Sequence, residues 1–507
     1  MPEIALTPQL FGRFEKTFPG EVAVFHSAQS DKSQRENWLS VFRGEKSIAV
    51  GPRSALFAPL KNLGLIILDE EHESSYKQEE RLRYHARVAA EKLSEICGAR
   101  LLLGSATPSA ESLYKVYSGD YSMSQLHSRA VEKSIKPTLE IVDLKKSIRQ
   151  KTFSIPEEEG LETGNDIENS FFLSPKLRAS IEERIAKKEQ MILFLNRRGL
   201  GRTLLCKSCG HQPDCVQCAV KLVPHHNKML CHYCGFEMPT PRKCSECNTE
   251  DSFREVGFGT EALEAELKRL YPELRTIRLD RDIVSDRSAL VETLKIFSDK
   301  EADALIGTQM VAKGHDFPNV SLVGIVMADV GFSMPDFRNE ERGFQLLTQV
   351  SGRAGRAEIP GEVVLQSFRP EDPLFLALQK GESLEAYEEF MKNILSTREF
   401  LNYPPYVELA LLQFQGLDET SVKKAAQAVA QALNKIKAEN FFVLGEVPAA
   451  IYRVRNKFRY QIMIKSKSED VLRKALNWIQ QKWVESKMEK TYKNTRMIID
   501  VDPVQTI

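Results

Sequence analysis

The sequence predicts an α/β protein with two parallel-sheet lobes, a cysteine-rich insertion in the second lobe and an α+β C-terminal domain. Short apolar runs alternate with helical patterns over residues 1–125 and again from 173 to 375, which is typical of parallel strands covered on both faces. Eight cysteines interrupt the second pattern, and beyond it the chain becomes helix-rich before it ends in strands.

Composition sets broad limits on the class of protein. A chain of 507 residues is too long for one core, so three or four domains are expected. The formal net charge is zero, so any nucleic-acid surface must be local. The longest apolar runs are far shorter than a membrane span, and the absence of a targeting segment together with many thiols favours a reducing cytoplasm.

The domain boundaries follow these changes in composition. We expect the first lobe over 1–125, a linker with an acidic insert over 126–172, the second lobe over 173–375 with a cysteine module at 203–250, and the C-terminal domain over 376–507.

The cysteine module contains four CxxC pairs. Two such pairs complete a tetrahedral four-thiolate shell, so four pairs predict two structural zinc sites; a disulfide framework suits short secreted chains instead. A nested arrangement joins the inner two pairs and the outer two, and is favoured here over an interleaved one. The ligands are Cys206, Cys209, Cys215, Cys218, Cys231, Cys234, Cys244 and Cys247.

Two apolar runs of the first lobe end in polar residues. Asp69 and Glu70 begin the DEEH stretch after the first run, and the next run ends in GSAT at 104–107. Ligands of open parallel sheets bind beyond the carboxyl ends of the strands, so both carboxylates are placed to hold Mg²⁺ and orient a water on a γ-phosphate. The alternative for DEEH alone is an exposed acidic loop.

Two basic stretches are candidate phosphate-binding sites. In QVSGRAGR (349–356), Arg353 and Arg356 lie on one face of a helix and suit transferring phosphate charge, unless the helix is simply solvated. YRVRNKFRY (452–460) alternates strictly, which predicts a strand with a basic face or a merely solvated one. Its four cations are Arg453, Arg455, Lys457 and Arg459.

Taken together, these stretches resemble the superfamily 2 helicases and, more closely, the family of primosomal replication-restart helicases. The resemblance covers essentially the whole chain, and its motifs occur in the family's order. They are TPQ (7–9), RSALFAP (53–59), DEEH…SYKQ (69–78), GSATPS (104–109), NRRG (196–199), GFGTE (257–261), GTQMVAKGHDFP (307–318), PDFR..ER (335–342), QVSGRAGR (349–356) and YPP (403–405).

The resemblance implies two RecA-like lobes that clasp Mg-ATP between them and single-stranded DNA across them. Asp69, Glu70, Gln349, Arg353 and Arg356 are then the catalytic candidates. The nucleotide-binding candidates are Glu71, His72, Gly104, Ser105, Thr107, Gly307 and Thr308. Those for DNA are Arg53, Tyr76, Lys77 and Tyr84, in or near an aromatic-rich loop, together with the basic residues of 452–460. The alternative for the two tyrosines, which are eight residues apart, is the core of a helix.

The chain departs from the family pattern in one large respect. It contains no G-x-x-x-x-G-K-[ST] string, which cradles phosphates in such motors. We therefore expect an N-terminally truncated motor whose first lobe lacks the phosphate-loop strand, has an uncovered apolar face and does not hydrolyse ATP efficiently. Pro52, where the family usually has threonine, and Leu82, where an aromatic is common, predict weaker coupling of DNA to ATP.

The resemblance implies an ATP-dependent 3′-to-5′ DNA helicase that recognises stalled or branched replication forks and initiates primosome assembly. The expected partners are forked and single-stranded DNA, primosome proteins and single-stranded DNA-binding protein, with two zinc ions, a monomeric state and the bacterial cytoplasm. The alternative is a non-enzymatic, zinc-stapled adaptor that binds DNA and the primosome. An RNA-directed motor is disfavoured by the cysteine module within lobe two.

Overall fold

The structure is a computed structural model of the 507-residue chain. It describes residues 7–26, 29–80, 82–126, 137–149, 172–195, 203–216, 220–225, 228–256, 259–280, 287–312, 317–331, 336–355, 360–381 and 383–506. The acidic insert predicted at 157–170 and the NRRG stretch lie outside these residues.

The first lobe contains two separate pairs of parallel strands. β1 pairs with β2 and β3 pairs with β4, and no hydrogen-bonded strand joins the two pairs within the described part of the lobe. The elements are α1 (Thr7–Thr17), β1 (Val22–Val24), α2 (Asp31–Arg43), β2 (Ile48–Val50), β3 (Leu65–Asp69), α3 (Ala86–Cys97), β4 (Arg100–Gly104) and α4 (Ala110–Tyr117).

One face of the β3–β4 sheet is packed and the other is open. Ile66 and Leu68 are buried in a small core shared with α3. Leu65, Ile67 and Leu102 point the other way and are 52%, 51% and 55% exposed. The uncovered apolar face that the sequence predicts is therefore observed among the described residues.

The second lobe is built on one six-stranded, all-parallel sheet in the order β12-β13-β6-β14-β15-β5. The elements are β5 (Thr138–Asp143), α5 (Leu144–Arg149), α6 (Pro175–Lys187), β6 (Gln190–Leu195), β7 (Thr203–Cys206), β8 (Val223–His225), β9 (Lys228–Leu230), β10 (Glu237–Pro239), β11 (Phe253–Val256), α7 (Thr260–Leu270), β12 (Thr276–Leu279), α8 (Arg287–Ser298), β13 (Ala304–Gly307), α9 (Gln309–Ala312), β14 (Val320–Val326), α10 (Ala328–Gly331), α11 (Asn339–Ser351), β15 (Glu362–Ser367), α12 (Pro373–Gln379) and α13 (Leu384–Phe400).

The central strands of this sheet are buried on both faces. All residues of β6 and β14 are buried, and alternate side chains of β6 enter different cores. Ile192 and Phe194 join one core, whereas Met191, Leu193 and Leu195 join the other. The continuous apolar runs thus form the two-sided parallel sheet that the sequence predicts.

The second lobe is larger than the sequence predicts. β5 lies in the range predicted as a linker, yet it pairs with β15 along its whole length as an edge strand of the sheet. α13 lies in the predicted C-terminal domain, but Phe390, Met391, Ile394 and Leu395 belong to the core of lobe two. Both corrections have the same cause, because the domain to which an edge element belongs is decided by what it packs against, and its own sequence does not show that.

The cysteine module lies between β6 and α7 and consists of short antiparallel strands. β7 pairs with β11 at its base, and β8, β9 and β10 form a three-stranded sheet. Gly210 sits in its first cysteine turn at φ 74°. A Cβ at Gly210 would lie 2.0 Å from Cβ of Phe368, so glycine allows both the left-handed turn and the close packing on lobe two.

The C-terminal domain is a βαββαβ unit with an antiparallel sheet in the order β17-β18-β16-β19. This arrangement is ferredoxin-like. α14 and α15 pack on one face of the sheet, and the prediction of an α+β domain is confirmed. The elements are β16 (Glu408–Gly416), α14 (Glu419–Leu433), β17 (Phe441–Val454), β18 (Lys457–Ser466), α15 (Glu469–Glu485), α16 (Met488–Thr491) and β19 (Arg496–Val501).

Among the described residues, none of the helices combines the length and the apolar character that a membrane crossing requires.

Candidate nucleotide site and cysteine clusters

Asp69 and Glu70 stand at the carboxyl edge of the first lobe. Asp69 is the last residue of β3 and is exposed, while Glu70 turns the chain with φ 49°. Burial raises the pKa of the Glu70 carboxyl above its ordinary value, as do Asp69 and Glu73, whereas His72 and Arg353 act in the opposite direction. Adjacent carboxylates of this kind are the donors that Mg²⁺ prefers.

Glu71 is occupied by protein donors. It is 2% exposed, and its carboxylate accepts from Ser109 N at 2.6 Å, Ser109 Oγ at 3.0 Å and Arg87 Nη1 at 2.9 Å. The amide of Glu71 donates to Gly104 O at 3.0 Å. Glu71 therefore ties the DEEH stretch to the loop after β4, and a nucleotide contact through it would require these donors to leave.

His72 lies between the two lobes. Its Nδ1 lies 2.7 Å from Ser105 Oγ and its Nε2 lies 3.1 Å from Nε2 of Gln349 in lobe two. Ser105 Oγ also accepts from the amide of Thr107 at 3.0 Å. The tautomer with hydrogen on Nδ1 satisfies both contacts, because Nε2 then accepts from the Gln349 amide. The structure thus brings DEEH, GSAT and QVSGRAGR together.

One face of α11 makes this contact between the lobes. Glu341, Gln345 and Gln349 are four residues apart, so they lie on the same face. Glu341 Oε1 accepts from the amide of Ala110 at 2.9 Å, and Gln345 Nε2 donates to Thr107 O at 3.4 Å. This face of the helix therefore holds backbone groups of the segment that follows β4.

The remaining nucleotide candidates lie in lobe two. Arg353 follows α11, is 7% exposed, and acts electrostatically on Glu70; Arg356 lies outside the described residues. Gly307 and Thr308 come at the end of β13. A Cβ at Gly307 would lie 2.1 Å from Val311 Cγ2, so glycine permits the tight turn into α9.

The outer cysteines form one compact cluster. Cys206, Cys209, Cys244 and Cys247 have all four sulfur atoms within 4.8 Å of one another. The Cys206–Cys247 and Cys209–Cys244 sulfur distances are both 3.6 Å. Four thiolates around zinc, with bonds of about 2.3 Å, have tetrahedral edges of about 3.8 Å. The donor set and its spacing therefore fit a closed zinc site.

The inner cysteines form a second cluster. Sulfur atoms of Cys215, Cys231 and Cys234 lie within 4.8 Å of one another, with Cys215 and Cys234 3.6 Å apart. Cys218, the expected fourth ligand, lies outside the described residues. The prediction of nested pairing is confirmed for the described cysteines, since inner joins inner and outer joins outer.

The second cluster is embedded where three parts of the chain meet. Cys215, Cys231 and Tyr233 share a core with Leu409 and Met463 of the C-terminal sheet, and Phe337 of lobe two packs against it. Nδ1 of the fully buried His232 lies 2.8 Å from Pro448 O. The inner cysteine turn therefore fixes the C-terminal domain in place, a role that the sequence did not predict.

The DNA candidates of lobe one have protein partners in this structure. Tyr76 is fully buried and its hydroxyl donates to Asp69 O at 2.6 Å. Arg53 Nη1 donates to Ser75 O at 2.5 Å and Lys77 O at 3.1 Å. Tyr84 packs edge-on against Phe57. A base stacking on Tyr76 would require this segment to move, so the direct DNA roles remain predictions.

The basic stretch 452–460 is a hairpin tip, not one strand. β17 ends at Val454 and β18 begins at Lys457, with φ of 48° at Arg455 and 62° at Asn456. Two central residues with positive φ define the type I′ hairpin turn. The predicted continuous basic face is therefore wrong, although Arg453, Arg455 and Lys457 are all exposed at this tip.

Comparisons with known proteins agree with this architecture. Family models match in chain order: DEAD/DEAH box helicase over 1–116, Helicase conserved C-terminal domain over 248–358 and Primosomal protein N C-terminal domain over 399–504. The chain is 33% identical to replication restart protein PriA of Rickettsia felis over 505 residues, which cover 99% of this chain and 73% of that protein.

The chain belongs to the PriA family of replication restart proteins.

Other PriA proteins are similar along the same span. Identity is 40% with that of Bacillus subtilis and 37% with that of Haemophilus influenzae, in each case over 99% of this chain. The chain spans 60% and 65% of those two relatives. The structure of RecG bound to a three-way DNA junction aligns with 78% of this chain and 39% of RecG, at 14% identity and a TM-score of 0.39.

A PriA-like motif that had no predicted role binds the end of the chain. In PDFR..ER, Asp336 Oδ2 accepts from the amide and the hydroxyl of Thr506, both at 3.2 Å. Arg338 donates to Pro503 O at 3.2 Å, and Arg342 donates to Val504 O. Alternating acidic and basic residues gave the signal, but their partners lie more than 160 residues away.

Proposed function

We propose that this chain forms the motor lobes and C-terminal domain of an ATP-dependent DNA helicase that acts in replication restart. The observation that carries this is the contact of His72 with both Ser105 and Gln349. It joins the strand-end motifs of lobe one to α11 of lobe two, which is where a nucleotide bound between two lobes is sensed. Membership of the PriA family supplies the DNA context.

The finer proposal concerns the substrate. The helicase moves 3′-to-5′, recognises stalled or branched forks by structure and initiates primosome assembly, with primosome proteins and single-stranded DNA-binding protein as partners. The exposed cations Arg453, Arg455 and Lys457 at the β17–β18 hairpin tip support a phosphate contact. Since the net charge is zero, such local surfaces must provide the attraction for DNA.

The nucleotide chemistry follows from residues at the junction of the lobes. Asp69 and Glu70 would hold Mg²⁺ and orient the attacking water, and Arg353 and Arg356 would meet phosphate charge. The 507 residues contain no G-x-x-x-x-G-K-[ST] string. We therefore propose that a polypeptide of these residues alone does not hydrolyse ATP efficiently.

The cysteine clusters would hold two zinc ions. With Cys218 as the fourth ligand of the inner cluster, each site would have four thiolates and no open position, so its role would be structural. We further propose a monomer in the bacterial cytoplasm, where thiolates persist for metal binding. The module serves as an attachment surface for fork DNA and primosome proteins.

A second candidate is a non-enzymatic adaptor that binds DNA and the primosome. The half-exposed apolar face of Leu65, Ile67 and Leu102 favours it, because a working motor lobe needs a completed sheet. In this case the zinc-stapled docking surfaces function without nucleotide.

Nucleotide dependence of DNA binding separates the two candidates. Protein isolated from its source cells is titrated onto fluorescent forked DNA with and without a non-hydrolysable ATP analogue. A helicase changes its affinity several-fold with the analogue, and Arg353→Ala removes that change while binding without nucleotide persists. The same affinity in both conditions would support the adaptor and contradict the motor.

A further inference from the structure

The aromatic-rich loop is clasped by the C-terminal domain. This loop follows β3, and residues 74–80 and 82–85 of it are described. Lys77 Nζ lies 2.9 Å from Asp500 Oδ1 and donates to Val501 O at 2.5 Å. Arg83 Nη1 lies 2.8 Å from Asp500 Oδ2. One carboxylate of β19 thus holds two cations of a loop that is more than 400 residues away in sequence.

The clasp is largely removed from water. The side chains of Lys77, Asp500 and Arg83 are 1%, 10% and 25% exposed. An ion pair of this kind is costly to break from one side, because the remaining charge stays buried without compensation. Lys77 is therefore held away from any phosphate for as long as Asp500 retains it, whereas Arg83 is the cation nearer to solvent.

The clasped loop is joined directly to the candidate Mg²⁺ site. Tyr76 precedes Lys77, and its hydroxyl donates to Asp69 O at 2.6 Å. Arg53 fixes the same segment through the carbonyls of Ser75 and Lys77. A displacement of Lys77 thus acts through one residue on the backbone of Asp69.

We propose that Asp500 is a positioning residue that keeps the aromatic-rich loop in a DNA-free state. DNA phosphate competes with the Asp500 carboxylate for Lys77 and Arg83. When phosphate replaces the carboxylate as their partner, the loop separates from the C-terminal domain. This inference rests on the proposed DNA-binding function. Its physical basis is that phosphate and carboxylate both form charge-assisted hydrogen bonds with Lys and Arg, and that binding of a polyanion gains further from counterion release.

The test uses the full 507-residue chain and the variant D500N, which keeps the side-chain shape and removes its charge. Without DNA, amides of 74–85 should exchange hydrogen faster. With an oligothymidine strand, affinity should rise, and the slope of log K against log salt should steepen by about 0.7 for each cation that reaches a phosphate. The matched control is D470N, which breaks two ion pairs on the surface of the same domain and should change neither measurement.

Structural damage and the proposed competition would change the DNA affinity of D500N in opposite directions. Damage to a DNA-binding loop lowers affinity, whereas release of Lys77 raises it. In the D500N background, Lys77→Met should remove the part of the gain that Lys77 carries. Faster exchange with unchanged or weaker DNA binding would overturn the proposal, as would a gain that persists in full without Lys77. Absence of DNA binding by the unaltered chain would instead overturn the proposed function. That result does not involve the variants, so it is distinguishable from failure of this inference.

Discussion

Nε2 of Gln349 lies 3.1 Å from Nε2 of His72, whose other ring nitrogen lies 2.7 Å from Ser105 Oγ. Gln349 is on α11 of lobe two, and the other two residues follow neighbouring strands of lobe one. The imidazole of His72 therefore links the ends of two strands of lobe one to a helix of lobe two. Under the proposed function, this contact would couple nucleotide binding at the junction to the closure of the two lobes.

The Gln349 contact should stabilise the junction of the lobes. Gln349→Leu removes a partly buried hydrogen bond, at a cost of about 1–2 kcal/mol. Amides of 104–110 should then exchange hydrogen about 5–30 times faster, because the open state of the junction gains population. Gln481→Leu on the C-terminal surface is the control. Equal exchange in the Gln349 variant and the unaltered chain would show that this contact does not hold the lobes.

Loss of one cysteine from each cluster should have different structural effects. Cys231→Ser and Cys247→Ser should each lower the releasable zinc from two ions to one. Only Cys231→Ser should also detach the C-terminal domain, because Cys231 is fully buried in a core with Leu409 and Met463. A chromophoric chelator measures the zinc, and protease cleavage near residues 401–405 measures docking.

The control for both cysteine variants is Cys97→Ser. Cys97 is exposed and belongs to neither cluster, so this variant should keep both zinc ions and the docked domain. Release of two zinc ions by Cys231→Ser would contradict two independent sites. Equal protease resistance of Cys231→Ser and Cys247→Ser would contradict the fixing role of the inner cluster.

Removal of the buried cation Arg398 should lower the free energy of unfolding far more than removal of a surface cation. It is 2% exposed, pairs with Glu341, and lies 3.8 Å from Glu111 of lobe one. Arg398→Leu leaves buried carboxylates without their cation, at a cost of about 3–5 kcal/mol. Arg398→Lys keeps the charge and should cost less. Denaturant-dependent hydrogen exchange in β14 measures the free energy of unfolding of lobe two.

The surface arginine Arg473 provides the contrast for Arg398. It pairs with Asp470 at 2.7 Å, and its side chain is 67% exposed. Because solvent-exposed pairs contribute about 0–1 kcal/mol, Arg473→Leu should leave the domain stability nearly unchanged. If Arg398→Leu were equally mild, the network joining α4, α11 and α13 would not contribute to stability.

Glu408 should make the C-terminal domain less stable as pH rises. Burial raises the pKa of its carboxyl to about 7, and Asp502 and Glu469 contribute in the same direction while Lys115 opposes them. The ordinary glutamate value is about 4.3, so the folded state binds more protons than the unfolded state between the two values. The contribution of Glu408 to stability is therefore fully present below about pH 4 and is lost as the pH rises through about 7.

The substitution Glu408→Gln tests this linkage. At pH 8 the variant should be more stable than the unaltered chain by about 1–3 kcal/mol, and the difference should disappear near pH 4. Urea unfolding followed by the fluorescence of Trp478 and Trp483, in a Trp38→Phe background, reports on this domain. Glu485→Gln on the exposed face of α15 should show no such pH dependence. A difference that grows towards low pH would contradict the assigned sign.

The sequence predicted those structural elements that depend on interactions between residues near one another in the chain. The apolar runs of β6 and β14 and the DEEH and GSAT strand ends follow from spacing of a few residues, whereas the spacing of the cysteine turns left nested and interleaved pairing both open. The alternation of basic and apolar residues in 452–460 predicted one continuous strand, which is wrong. A two-residue turn does not interrupt such alternation in the sequence, although the chain reverses direction there. Asn456 was the available signal, since asparagine tolerates positive φ.

The features that the sequence did not predict depend on contacts between residues that are far apart in the chain. The motif around Lys77 predicts a cation beside aromatic rings, but nothing near it indicates that Asp500 would hold that cation. Asp336 of lobe two likewise contacts Thr506, which lies 170 residues further along the chain. β5 joined the second sheet for the same reason, because an edge strand is defined by the neighbour it finds.

The central claim is that the protein, as the cell makes it, is a DNA-stimulated ATPase that unwinds forks. The most direct measurement is ATP hydrolysis and strand displacement by protein isolated from its source, with forked DNA present or absent, beside Glu70→Gln. The account predicts hydrolysis that rises with DNA, 3′-to-5′ displacement, and loss of both in the variant while DNA binding persists. Tight DNA binding without hydrolysis in the unaltered protein would contradict the motor and leave the adaptor.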